Sequence, residues 1–410
     1  MHNIFIEKPY EFVPAMKASW PQRIYTGCGL HKITLRRREG VVRHEVRNAE
    51  RLRESIDAGH GVLLTPNHPR LADPVVMHNV AIAAKTPLYL MASWHLFNQG
   101  PLVRFIIRMM GAFSVNREGM DRASIDHAIK ILQTAERPLV IFPEGTTSRT
   151  NDTLMAMMDG PSFIARTAAK RRAKEGQGSG KVVVHPVALR YIFEGDVDKA
   201  CDGALTDIEA RLSWSPQRDL PLIDRIVKVG DALLKIKELQ YRCPVPADAI
   251  LRDRQTNMVN HLLHPLEEEW LGSAGSDEGI QIRIKNLRVK IFPDMIGDEL
   301  SLEERKRRWE HLERTYLAQQ IDCYPGEYIT EHPSTDRILE TVEKLEDDFT
   351  EKCRVHGNFK AIAEVGPAIE VSTKRDKSAT TDPLMASIRA SLESMLQKYQ
   401  DDSKMYQPPA

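Results

Sequence analysis

Between residues 61 and 190, short apolar runs alternate with longer stretches of helical periodicity, and few folds accept that rhythm. The runs are VLLTP (62–66), PLYLMA (87–92), GAFSVN (111–116), PLVIFP (138–143) and VVVHPVAL (182–189). Each is too short for a helix and uninterrupted enough to be a strand covered on both faces. The stretches between them predict helices over 74–85, 101–110, 122–136 and 161–174. Strand–helix alternation at this spacing points to an α/β fold: a mixed, largely parallel sheet flanked by helices. Ahead of it, HEVRNAERLRESIDA (44–58) predicts one helix, ended by Gly59 and Gly61.

Beyond Tyr191 the rhythm changes. Long polar helical patterns dominate, such as 220–239 and 300–319, with one strand-like stretch at 282–292 and another at 361–371. A charged linker, 372–380, precedes Asp382–Pro383, a pair that suits a helix start: the carboxylate caps free N–H groups and proline fits the first turn. Leu384, Ile388, Leu392, Met395 and Leu396 form an apolar stripe on that helix. Residues 401–410 read as a disordered tail, and no internal repeat is found by inspection.

Bulk properties narrow the partners. No run of about 18 apolar residues could span a bilayer, and the N-terminus lacks the basic-then-apolar pattern of a signal peptide. Five scattered cysteines without a CxxC pair fit reduced thiols in a cytoplasmic protein. Net charge is zero, yet residues 1–190 hold 27 Lys and Arg against 16 Asp and Glu, leaving 30 against 41 for the remainder. A basic first half suits an anionic partner such as phosphate, a coenzyme or anionic lipid. Zero net charge and 6% aromatic residues disfavour nucleic acid.

Four segments at predicted strand ends carry chemistry. In NHPRLADP (67–74), His68 and Asp73 stand five residues apart, which a regular helix would splay by roughly 140°. Pro69 and the Asp73–Pro74 pair favour a turn that lets them meet. A carboxylate on one ring nitrogen would fix the tautomer and leave the other to accept a proton. In GAFSVNR (111–117), Arg117 ends a strand and its planar guanidinium suits a phosphate. In IFPEGTTSR (141–149), Gly145 permits a sharp turn, Glu144 could orient hydroxyls, and Thr146, Thr147 and Ser148 offer hydrogen bonds. His185 in the fourth run reads as structural. The blander readings are an N-cap for Asp73, a surface ion pair for Arg117 and an ordinary solvated turn for Glu144.

Order and spacing together resemble the glycerolipid acyltransferase family, of the 1-acyl-glycerol-3-phosphate acyltransferase type. Its NHxxxxD, GxxFxxR-like, FPEGTxS and VxPV blocks match Asn67–Asp73, Gly111–Arg117, Phe142–Ser148 and Val184–Val187. The resemblance covers about residues 55–190, with EVGPAIEV (364–371) similar to a later segment. It implies a core over 1–190 with a helical lead-in, a mainly helical insertion over 191–360, and a returning strand and C-terminal helix over 361–400. It also implies that His68 deprotonates an acceptor hydroxyl for attack on an acyl thioester, that Asp73 holds His68, and that no covalent acyl-enzyme forms. Arg117, Glu144 and Gly145, with Thr146 and Arg149, would bind the acceptor, a glycerol-phosphate or lysophospholipid-like molecule. Acyl-CoA or acyl carrier protein thioester would be the co-substrate, with no bound cofactor and no metal. Two departures bear on the acceptor: Thr147 stands where many members have arginine, and Ser93-Trp94-His95 replaces a lysine of the second block.

PLVRFIIRMM (101–110), apolar with Arg104 and Arg108, suits a peripheral membrane contact on the inner face of a membrane, and LMAMM (154–158) suits an acyl groove. Core packing is the preferred explanation of both. No GxSxG, HExxH or P-loop is present, so a serine hydrolase is disfavoured. A catalytically silent scaffold on the same fold is the alternative, and oligomeric state is not legible.

Overall fold

Seven of the eight strands in the sheet run in the order β1-β7-β6-β2-β5-β3-β4, with β8 paired to β6. They are β1 (Val41–Arg47), β2 (Gly61–Pro66), β3 (Tyr89–Ser93), β4 (Ala112–Val115), β5 (Leu139–Val140), β6 (Val182–Phe193), β7 (Phe359–Val365) and β8 (Ile369–Glu370). The structure, a computed structural model, describes residues 5–119, 121–175, 180–273, 279–297, 299–324, 327–350, 354–375 and 381–408. The glycine-rich stretch 176–179 and residues 376–380 of the charged linker lie outside the described residues.

β6, β2, β5, β3 and β4 are mutually parallel, and β7 runs antiparallel to β6 and parallel to β1. All residues of β2 and β6 are buried, as expected for strands covered on both faces. On one face Leu63, Leu139, Val182 and Val184 share a core with the helices Arg122–Thr134, Gly160–Glu175 and Pro383–Gln397. On the other, the helix Asp73–Ala83 lies against β1 and β7. Asp382 caps the last helix as its sequence predicts, accepting from Leu384 N–H at 2.9 Å, and Arg166 pairs with it at 2.8 Å.

The chain divides into two compact units. The α/β unit comprises Tyr10–Glu194 and Val355–Ser403; the other comprises Met1–Pro9, Gly195–Arg354 and Lys404–Ala410. Residues 5–9, expected to lead into the α/β core, fall in the second unit, where Phe5 packs on Phe292 and Trp309.

Three local expectations are corrected. Residues 41–47 form β1, and the helix starts only at Ala49, after Asn48 at φ 57° breaks the chain direction. Residues 282–292, expected as a strand, lie largely in the helix Ile280–Ile291. Their apolar–charged alternation mimics a strand, but Ile284, Leu287 and Ile291 are buried at helical spacing. The tail is not disordered where described: Met405 bridges Ser334, and Tyr406 N–H donates to Pro333 O.

The helical unit also contains an internal repeat. Arg225 pairs with Glu209 and Asp202, Arg254 with Glu238 and Asp231, and Arg283 with Glu267 and Asn260. Every Arg–Glu spacing is 16 residues, every Arg–Asp/Asn spacing 23, and successive clamps lie 29 residues apart. The helices Leu222–Gln240, Leu251–Leu271 and Ile280–Ile291 begin at that same period, each carrying its arginine as fourth residue. Leu205, Leu234 and Leu263 repeat as buried apolar positions. So few positions recur that inspection of the sequence misses them, whereas the buried ion pairs make them plain.

Candidate active site

Because β2, β5, β3 and β4 are parallel neighbours, the segments that follow them emerge along one edge of the sheet, where α/β folds collect functional groups. His68 follows β2, Glu144 follows β5, Ser93–His95 closes β3, and Arg117 follows β4. Three strand spacings, roughly 14 Å, separate the first from the last of these exits.

His68 and Asp73 meet. Residues 67–72 form a turn, and Asp73 opens the helix Asp73–Ala83. Its Oδ2 lies 2.7 Å from His68 Nδ1 and also accepts Arg70 N–H at 2.9 Å. Asp73 is wholly buried, while the His68 side chain keeps 16% of its surface exposed. With Nδ1–H donated to the carboxylate, Nε2 carries the lone pair, and Thr147 Oγ1 stands 3.5 Å from it. The Phe142 ring stacks on the imidazole at 4.1 Å between centroids.

Glu144, expected at the acceptor headgroup, is instead fully buried. One oxygen accepts His68 N–H at 2.7 Å and the other Met155 N–H at 3.0 Å. Burial raises its carboxyl above the usual range, against the pull of those two N–H groups. Ser148 N–H donates to His68 O at 2.9 Å, so Glu144 and Ser148 grip both sides of the His68 backbone. Gly145 takes φ +69°, a conformation that strains residues with a Cβ, so this turn favours glycine. Thr146 is half-buried on the same turn, and Arg149 follows at φ 50°.

Arg117 is half-buried, and among the described residues it makes no hydrogen bond or ion pair. Beside it, burial first and the Arg117 charge second lower His95 to about 4, so its ring is neutral near pH 7. His95 Nδ1 lies 2.8 Å from Ser93 Oγ.

Three further residues complete this frame. Asn67 Nδ2 donates to Leu189 O and its Oδ1 accepts Leu189 N–H, at 3.0 and 2.6 Å. Asn151 brackets Tyr191 in the same way, so two amides continue the β2 side of the β6 ladder beyond Pro66. The Tyr191 hydroxyl donates to Asp73 Oδ1 at 2.5 Å. Asn67 was visible as part of its motif; Asn151 and Tyr191 lie in no motif that flags them. His185 is structural as expected, buried between Ser55 Oγ and Gly366 O. Among the described residues no cluster of His, Cys, Asp and Glu could hold a metal ion.

A family model described as Acyltransferase matches residues 43–190. The 1-acyl-sn-glycerol-3-phosphate acyltransferase of Streptococcus pneumoniae (strain ATCC BAA-255 / R6) is 33% identical over 111 residues. That alignment covers 27% of this chain and 38% of that protein, so the chain spans little more than a third of the curated relative it matches.

Proposed function

We propose that residues 43–190, which the Acyltransferase family model matches, form an acyltransferase domain of the glycerolipid type, and that the chain transfers a fatty acyl group from a thioester to a hydroxyl of a glycerol-phosphate or lysophospholipid-like acceptor. The 2.7 Å contact between His68 Nδ1 and Asp73 carries this reading. Asp73 holds the tautomer that leaves Nε2 basic; Nε2 takes the acceptor proton as the oxygen attacks the thioester carbonyl. The thiolate leaves and is protonated, and no acyl-enzyme forms.

Arg117 is the cation for an anionic acceptor headgroup. Thr146 and Arg149 line the same edge, while Glu144 and Gly145 act by shaping the turn under His68. Thr147, in place of the family's common arginine, lowers the cation count, which favours an acceptor with one compact anionic group. The donor is acyl-CoA or the thioester of acyl carrier protein. Incubating the full chain with acyl-CoA and a panel of glycerol-3-phosphate and lysophospholipids tests this by free-thiol release. Release that needs an acceptor is expected; release without any acceptor would mean a thioesterase.

Membrane contact is part of this reading. No helix among the described residues is long and apolar enough to cross a membrane. The helix Pro101–Met109 buries none of its residues, and Leu102 and Phe105 stay 70% and 53% exposed. An open groove of about 450 Å³ beside them is lined by Phe97, Pro101, Phe105, Arg104 and Arg108. An apolar face with two arginines suits an interface of anionic lipid. Sedimentation with anionic vesicles should fall several-fold in a Leu102→Asp, Phe105→Asp variant, and equal sedimentation of both proteins would reject this contact.

A further inference from the structure

We propose that Tyr191 is the third member of the His68–Asp73 relay, a positioning residue that locks the carboxylate and sets the pH range in which His68 acts as base. This rests on the acyl-transfer reading above. Asp73 is fully buried, so both of its oxygens need donors inside the protein. Oδ2 has His68 Nδ1–H and Arg70 N–H; Oδ1 has the Tyr191 hydroxyl, at the short distance of a charge-assisted bond. Tyr191 is only 1% exposed, in a strand buried along its whole length. Packing alone would be met by phenylalanine, because a buried hydroxyl is costly unless it is bonded.

The placement of that hydroxyl is firmly determined. Asn151 brackets the Tyr191 backbone, its neighbour in β7 is Ala361, and the Arg70 guanidinium lies 5.6 Å from the ring centre. The backbone that carries the phenol is thus fixed, and the ring is buried beneath Arg70. A carboxylate with three fixed donors cannot rotate, and so the imidazole that depends on it cannot rotate either.

The phenol also draws charge from the carboxylate. Without it, Oδ1 is left bare and Asp73 becomes a stronger acceptor, which favours the imidazolium form of His68. The other ionisable groups facing this trio are Glu144 on the His68 backbone, Arg70 above Tyr191, and Glu39, whose charge reaches the phenol. All three remain in a Tyr191→Phe variant.

In the full chain, Tyr191→Phe should lower kcat for acceptor-dependent thiol release about ten-fold with KM within about two-fold, the scale of a lost hydrogen bond to a charged group. The acid limb of its pH–rate profile should move up by about half a unit. Fluorotyrosine at 191 keeps the shape and donates more strongly, so its acid limb should move down. Carbethoxylation of His68 across pH, with His68→Ala as blank, reads the same shift without any acyl transfer. A Tyr191→Phe protein that keeps its melting temperature but shows no shift in either measurement overturns the inference, even if its rate falls. Absence of thiol release from the unaltered protein with both acyl-CoA and acyl carrier protein thioester, together with a shifted carbethoxylation midpoint, would reject acyl transfer and leave the relay standing.

Discussion

His68→Ala should lose acceptor-dependent thiol release by about 100- to 10,000-fold, the usual contribution of a positioned general base. On the proposed reading the fall should lie in kcat, because a general base meets the acceptor only through the proton that it removes. Folding should survive: the side chain is partly exposed, and the backbone bonds to Glu144 and Ser148 do not involve the ring. Melting temperature and circular dichroism beside the assay would verify this. Asp73→Asn should be nearly as slow, since an amide facing Nδ1 favours the wrong tautomer and leaves the Tyr191 hydroxyl a poorer partner. A His68→Ala protein that keeps more than about a tenth of the rate would remove His68 from the chemistry.

The largest loss of stability is expected in the helical unit. Arg225 joins Glu209 through Nε and Nη2, at 2.7 and 2.8 Å, and reaches Asp202 through Nη1 at 2.9 Å. The Glu209 side chain is fully buried, so Arg225→Met strips it of its ion-pair partner and leaves the Gln217 N–H as its direct hydrogen-bond donor. Breaking a buried pair from one side costs about 3–5 kcal/mol. Urea unfolding of the full chain should show that loss in the transition of the helical unit. Adding Glu209→Leu to Arg225→Met should restore most of it, because an apolar pair of similar volume carries no desolvation cost. If the single variant loses under about 1 kcal/mol, the repeated clamps are ornaments of the helices and not their fastening.

The α/β layer is legible because its strands are buried on both faces and so form unbroken apolar runs. Residues 62–66 and 182–189 announce β2 and β6 by composition alone. At 282–292 the same logic fails, since alternating isoleucine and charge imitates an edge strand while the buried set follows a helix. The site divides along a similar line. His68 and Asp73 are neighbours in sequence, and their motif places them together. Tyr191 lies 118 residues from Asp73 and reaches it only through the register of the sheet, which no local pattern encodes. Glu144 is visible as a charged residue in a turn, but its burial depends on Met155 and His68 closing over it from different segments. The clamps of the helical unit are hidden for another reason: between the recurring residues the sequence is free to drift.

β7 lies between β1 and β6, yet it is made after the helical unit, from residues 359–365. During synthesis, therefore, most of the sheet leaves the ribosome with the gap between β1 and β6 unfilled, and about 160 residues of another unit must follow before the filling strand arrives. Until then one edge of β6 and one of β1 present unpaired backbone, a template for the wrong partner. The nascent chain should depend on chaperones over that interval, and a protein cut after residue 194 should aggregate rather than fold. Closure of the sheet is thereby tied to the late arrival of β7, the strand that joins β1 to the rest.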